Sequence, residues 1–222
     1  MKLPIVITVL IGILVVACSS AAPAPVEPTP IIWATVEARA KELVAAPTTP
    51  INTLAPTDTP FSQESQAKLD QYSDSFNPLL EKHQRLFKEE FGGALAEAEE
   101  SGNRISQSSN PNQADAMAVI ERLTKALDNI RRELQEVNTE WSVLYPPPEA
   151  KRFHNLTFEY MQLRLQTVER SLHAYNMLAT GMVELSRQAL LESHDLMQQA
   201  DRLFLDVLAE ARTLGNVEII RD

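Results

Sequence analysis

Two stretches of the chain carry an apolar residue at every third or fourth position for more than three heptads. That spacing commits them to helices packed along a seam. In the first, Ile120, Leu123, Leu127, Ile130, Leu134, Val137, Trp141 and Leu144 follow in such steps. Glu121, Lys125, Asp128, Arg131, Arg132, Glu133, Glu136 and Glu140 fill the other faces, so Arg131-Arg132-Glu133 reads as a solvated helix face. In the second, the seam is Phe158, Met161, Leu165, Val168, Leu172, Tyr175, Ala179 and Met182. Phe153, Leu156, Tyr160 and Leu163 widen its apolar face, as expected of a central helix. The chain has only six glycines in 222 residues, fewer than the turns of a hairpin-rich sheet protein would need.

The ends of these helices are marked as well. Asn110-Pro111 offers an N-cap and a first-turn proline. Pro146-Pro147-Pro148 stops the helix, since proline neither continues it nor readily follows a helical residue. Beside Tyr145, those prolines read as a rigid turn rather than a proline-rich ligand. Thr180-Gly181 is expected to break the chain before a last helix, because a single helix of about 65 residues would be about 100 Å long. The last seam alternates small and large: Ala189, Ser193, Leu196, Ala200, Leu203, Val207 and Ala211, with Gly215-Asn216 as its C-cap. Its small residues allow close helix approach.

The first helix is the least regular. Its stripe is Leu69, Tyr72, Phe76, Leu79, His83, Leu86 or Phe87, Phe91 and Leu95. Asn77-Pro78 either kinks it or starts a second piece, Gly92-Gly93 weakens it, and Gly102-Asn103 closes it. The resulting expectation is an all-α fold: an elongated antiparallel up-down-up-down four-helix bundle within residues 61–222. Its helices are expected at about 62–101, 111–145, 149–180 and 183–214.

Ahead of the bundle the composition changes. Eight of the 14 prolines lie between Pro23 and Pro60, among Ser, Ala, Thr and Val. Such a segment cannot bury enough apolar surface to fold, so 18–60 reads as a disordered tether with a reach on the order of 100 Å. Residues 31–45 interrupt it without proline, with Ile32, Val36, Ala40 and Leu43 or Val44 on one face. They predict a short amphipathic helix, marginal in isolation, that lies on a membrane or docks on the bundle.

The chain opens on Lys2 and an almost wholly apolar run from Leu3 to Val16, the plan of a secretory signal. The run ends in Val15-Val16-Ala17-Cys18, followed by Ser19-Ser20, and Cys18 is the chain's only cysteine. This resembles the lipobox of bacterial lipoproteins. The resemblance implies cleavage of residues 1–17, acylation of Cys18 (palmitate among the acyl chains), and attachment to the extracytoplasmic face of the cell membrane. Two or three acyl chains hold a soluble domain there, where one does so only marginally. Loss of Lys2 leaves 19 basic and 30 acidic residues, a mature charge of −11.

Residues that carry chemistry are sparse. A net charge of −10 and a pI near 4.9 argue against nucleic acid as a partner. The sequence has no phosphate-binding glycine loop, no His-Glu-x-x-His, no Gly-x-Ser-x-Gly and no Cys-x-x-Cys-His. None of its four histidines follows a glutamate by three residues, as the bundle di-iron motif requires. Asn155-Leu156-Thr157 is a glycosylation sequon without meaning in such a lipoprotein.

The histidines leave two readings open. In the plainer one, His83 and His154 sit on core stripes, His83 is a hydrogen-bonded core or boundary histidine, and His173 and His194 are off-seam and face solvent. In the sharper one, depth counted from the turns puts His83, His173 and His194 in one layer within about 10 Å, with Glu169 beside His173, as a metal or haem site. The leading functional expectation is a non-enzymatic protein-interaction or scaffold module. It would need no cofactor and no metal, and would bind a protein partner or itself. The alternative is a ligand- or metal-binding lipoprotein, a carrier or sensor, with its site inside the bundle.

Overall fold

The computed structural model describes residues 62–108 and 112–214. Within them the chain forms α1 (Gln63–Gln84), a π-helical turn (Arg85–Phe91), α2 (Gly92–Gln107), α3 (Gln113–Ser142), a 3-10 turn (Pro148–Ala150), α4 (Lys151–Ala179) and α5 (Val183–Thr213). Backbone angles stay helical from α1 through the π turn into α2, so these three make one rod and the fold is a four-helix bundle. Cys18, the 18–60 tether, its 31–45 segment, Asn110-Pro111 and Gly215-Asn216 lie outside the described residues.

The pairs between helices give the directions. Lys82 of α1 meets Glu136 of α3, and the rings of Phe76 and Trp141 lie 5.7 Å apart. Trp141 donates to the His154 carbonyl at 3.3 Å, while Asn138 reaches that of Met161, so α3 and α4 run in opposite senses. Arg152 with Glu210 and Arg170 with Glu192 do the same for α4 and α5. Up-down-up-down order follows. α1 lies beside α4 in parallel, with Phe76 on Phe153 and His83 on Tyr160.

The predicted seams turn inward as the periodicity requires, except that Met182, expected to end the second seam, is 51% exposed because the chain turns at Gly181 just before it. From Ile120 to Trp141 every seam residue of α3 is buried, with Leu144 half-buried beyond the helix. α4 buries a much wider face because it packs on three rods, and that face takes in Thr157, Arg164, Thr167 and Ser171 as well as its apolar residues. Against it α5 presents Ala189, Ser193, Ala200, Val207 and Ala211. Small side chains let the two helices approach until hydroxyls meet. Ser193 Oγ donates to the Thr167 carbonyl at 3.0 Å and therefore accepts from Ser171 Oγ at 2.8 Å.

Helix ends differ from the sequence reading in several places. α3 is capped by Asn112, whose side chain accepts from Ala114 N at 3.0 Å, not by Asn110. The first rod runs through Asn77-Pro78 without starting a second helix, and passes a buried Gly102 to end at Gln107. Leu80 rather than Leu79 enters the core. The choice between Leu86 and Phe87 is resolved as both, because the wider π turn rotates an extra residue inward.

Gly181 does break the chain. At φ +80° it is the one described residue with a positive φ. Its N–H bonds the Leu178 carbonyl at 3.0 Å and that of Met182 bonds Met177 at 2.9 Å, the paired closure of a Schellman motif. A Cβ at Gly181 would meet nothing within 4 Å, so only backbone strain opposes a side chain. Gly181→Ala is expected to cost about 1 kcal/mol, whereas Gly93→Ala, helical and equally open, should stabilise by about 0.5 kcal/mol. Urea unfolding of the two variants checks the opposite signs.

Candidate functional site

The polar residues drawn into the bundle form two clusters along α4. Near its start, His154 stacks on Trp141 with ring centroids 5.4 Å apart, and its Nδ1 lies 2.8 Å from the Tyr72 hydroxyl. Burial pushes the phenol up and the imidazole down, so both are neutral at pH 7. One proton is shared in this bond, and the imidazole tautomer sets which of the two groups donates it. This pair ties α1 to α4 at the edge of the aromatic core of Phe76, Trp141 and Phe153.

Two turns further on lies the second cluster, the candidate site, drawn from all four rods. Arg164 is 2% exposed. Its guanidinium sits 4.1 Å from the centre of the Phe87 ring and 5.2 Å from that of Tyr160. Its Nη2 donates to Asp201 Oδ1 at 2.6 Å. Asp201 is 34% exposed, so the pair reaches from the interior to the bundle edge. Phe204 closes the aromatic wall on Tyr160 at 5.1 Å. Phe87 belongs to the π turn, which brings it and Phe91 together, 4.9 Å between centroids.

His83 completes the cluster, fully buried against Tyr160. Neither ring nitrogen finds a hydrogen-bond partner, and Arg164 Nε, Asn138 Oδ1 and Thr157 Oγ1 are likewise unpartnered. Burial first, then the Arg164 charge, push the His83 pKa down to about 3, while the Met161 carbonyl opposes the shift without reaching hydrogen-bond geometry. A neutral imidazole, a buried cation and a carboxylate at the rim could hold a small polar or anionic species. Arg164 opposes a metal cation.

The sign of the pH effect follows. The unfolded chain takes up the His83 proton near pH 6.5 and the folded one only near 3. The stability that the neutral ring confers is thus complete above about pH 6.5 and is lost as pH falls through that window. Between pH 6 and 4 wild type is expected to lose up to about 1.4 kcal/mol per pH unit more than His83→Leu. Urea melts of both proteins across that range check the difference in slope.

The other histidines do not join this cluster. His173 is exposed, and half-buried His194 bonds Gln198 at 2.8 Å. His83 packs on Tyr160, 13 residues and so about 20 Å of helix before His173. The expected layer of His83, His173 and His194 with Glu169 is therefore not formed, nor is His83 the hydrogen-bonded core histidine of the plainer reading. Depth counted from the turns fails because Phe76 is level with Phe153 and His83 with Tyr160, so α1 begins well ahead of α4 and overhangs the connection between α3 and α4. Among the described residues no three His, Cys, Asp or Glu side chains converge to hold a metal ion.

Arg164 and Asp201 were not singled out from the sequence. The signal was present, since residue 164 falls on the inner arc between Tyr160, Met161 and Val168. A separate cleft of about 40 Å³ lies between α2 and α3, walled by Ala94, Ala98, Ser101 and Leu123 with Glu97 and Arg122 at its rim. It has room for a few waters. The chain matches no family model, no curated protein and no solved structure.

Proposed function

We propose that the chain is a lipid-anchored extracytoplasmic helical lipoprotein that acts as a non-enzymatic protein-interaction or scaffold module. The observation that carries this reading is the sequence Val15-Val16-Ala17-Cys18-Ser19-Ser20, with the only cysteine of the chain at the acylated position. A proline-rich spacer follows, and a four-helix rod begins just beyond it at Gln63. Anchor, spacer and rod suit a domain that must reach away from a membrane to meet a partner. Among the described residues no helix is long and apolar enough to cross a membrane.

Palmitate labelling and fractionation of cells test the anchor. Wild type should carry label and sediment with membranes. Cys18→Ala should lose the label and leave the membrane fraction, provided its bundle remains folded. Label that persists in Cys18→Ala, or a wild type without label, would contradict the reading.

A second reading, a ligand-binding lipoprotein, is favoured by one observation only: the unpartnered nitrogens of His83 and Arg164 in the bundle interior.

A further inference from the structure

α5 packs on α4 through Ala189, Ser193, Ala200, Val207 and Ala211, and its opposite face looks outward. Along that face Glu184, Leu191, Gln198, Leu205 and Arg212 recur at intervals of seven residues. Leu191 is 47% exposed and Leu205 41%, large apolar side chains on a face with no partner within the bundle. Seven-residue spacing keeps all five within a narrow strip, drifting only about 20° per step. The strip is also its own complement when reversed. A two-fold axis through Gln198 sets Leu191 against Leu205 of a second copy and Glu184 against Arg212.

The flank repeats the pattern. Asp195 lies three residues before Gln198 and Arg202 four after it, both exposed and on the same side of the strip. Across the axis they come within one residue of the same level, about 1.5 Å. Neither joins an ion pair among the described residues, whereas Glu192, Asp201 and Glu210 of the same helix are held by arginines of α4.

We propose that α5 is a self-association surface, on which a second copy of this chain docks antiparallel about a two-fold axis at Gln198. Leu191 meets the partner's Leu205, and Asp195 pairs with the partner's Arg202. An isologous contact of this kind closes at two copies. One helix pair lies at the small end of specific interfaces, below about 1,200 Å², the size class of weak and transient contacts, so reversible association is expected. Confinement of both copies to a membrane surface would raise their effective concentration. The proposal deepens the interaction-module reading and rests on it, yet it fails separately: a monomer would leave acylation at Cys18 untouched.

Sedimentation equilibrium of the full chain in density-matched detergent tests it. Wild type should dimerise reversibly up to about 200 µM. Asp195→Arg and Arg202→Asp should each weaken the dimer about tenfold, and the double exchange should restore it, because both cross-axis pairs are then rebuilt with reversed sign. Leu205→Glu should abolish it. Thermal melts by circular dichroism should be near wild type for all of these exposed positions. A wild type monomeric at 200 µM, or single variants as tight as wild type, would overturn the proposal.

Discussion

Asp201→Ala is expected to lower the unfolding free energy by about 2–3 kcal/mol, while Arg164→Met lowers it by less than about 1 kcal/mol. The asymmetry is physical. Removing Asp201 leaves a guanidinium that is 2% exposed with no counter-charge, and two aromatic faces do not replace a carboxylate. Breaking a fully buried pair from one side costs about 3–5 kcal/mol, and Asp201's position near the rim reduces that by letting water approach. Removing Arg164 instead leaves a carboxylate that can hydrate, and methionine fills the space between Phe87 and Tyr160 with apolar atoms. Urea unfolding monitored by circular dichroism decides it. Equal losses in both variants would show that the guanidinium is already hydrated in the folded protein. If the Arg–Asp pair mainly fixes the register of α5 on α4, Arg164→Met should remain stable yet show faster amide exchange in α5.

Phe76→Ala is expected to have the larger effect, about 4 kcal/mol, or a fall in melting temperature of about 8–16 °C for a domain of this size. Phe76 is fully buried. Its ring packs on Tyr72 at 4.9 Å, Phe153 at 5.3 Å and Trp141 at 5.7 Å, so it joins α1, α3 and α4 at one level. Truncation removes those contacts at once and leaves a cavity that rigid rings cannot collapse to fill. It also loosens the wall behind the Tyr72–His154 hydrogen bond. Thermal unfolding measures the loss. A drop below about 4 °C would show that the three helices close over the gap.

The fold was legible where one residue type repeated at one period. Ile120 to Trp141 could hardly be read otherwise, because each step of three or four lands on a large apolar side chain. Gly181 was legible for a different reason, since few other residues close a helix at positive φ. The first rod was harder. Nothing in Arg85–Phe91 signals a π turn, and the tie between Leu86 and Phe87 was its only trace. Gly102 suggested a stop but is buried in a helix that continues, where packing against α3 outweighs its weak propensity.

The candidate site was less legible still. Thr157, Arg164, Thr167 and Ser171 are residue types that a hydropathy pattern assigns to solvent. They turn inward because α4 is surrounded on three sides and because the small residues of α5 leave room for their polar groups. His83 was placed on the core stripe correctly, but its neighbours depend on how far the first rod overhangs the connection between α3 and α4. Periodicity says nothing about that offset, and an error of ten residues along a helix is about 15 Å.

The central claim, an acylated interaction module that carries no small-molecule cargo, is tested most directly by native mass spectrometry of the full protein released from membranes into detergent. The expected spectrum is a chain that begins at Cys18, lacks residues 1–17, bears at least two acyl chains, and shows no further bound species. An intact leader, an unmodified Cys18, or a reproducible excess mass of a metal, haem or small molecule would contradict it. Such an excess mass would send attention to His83 and Arg164.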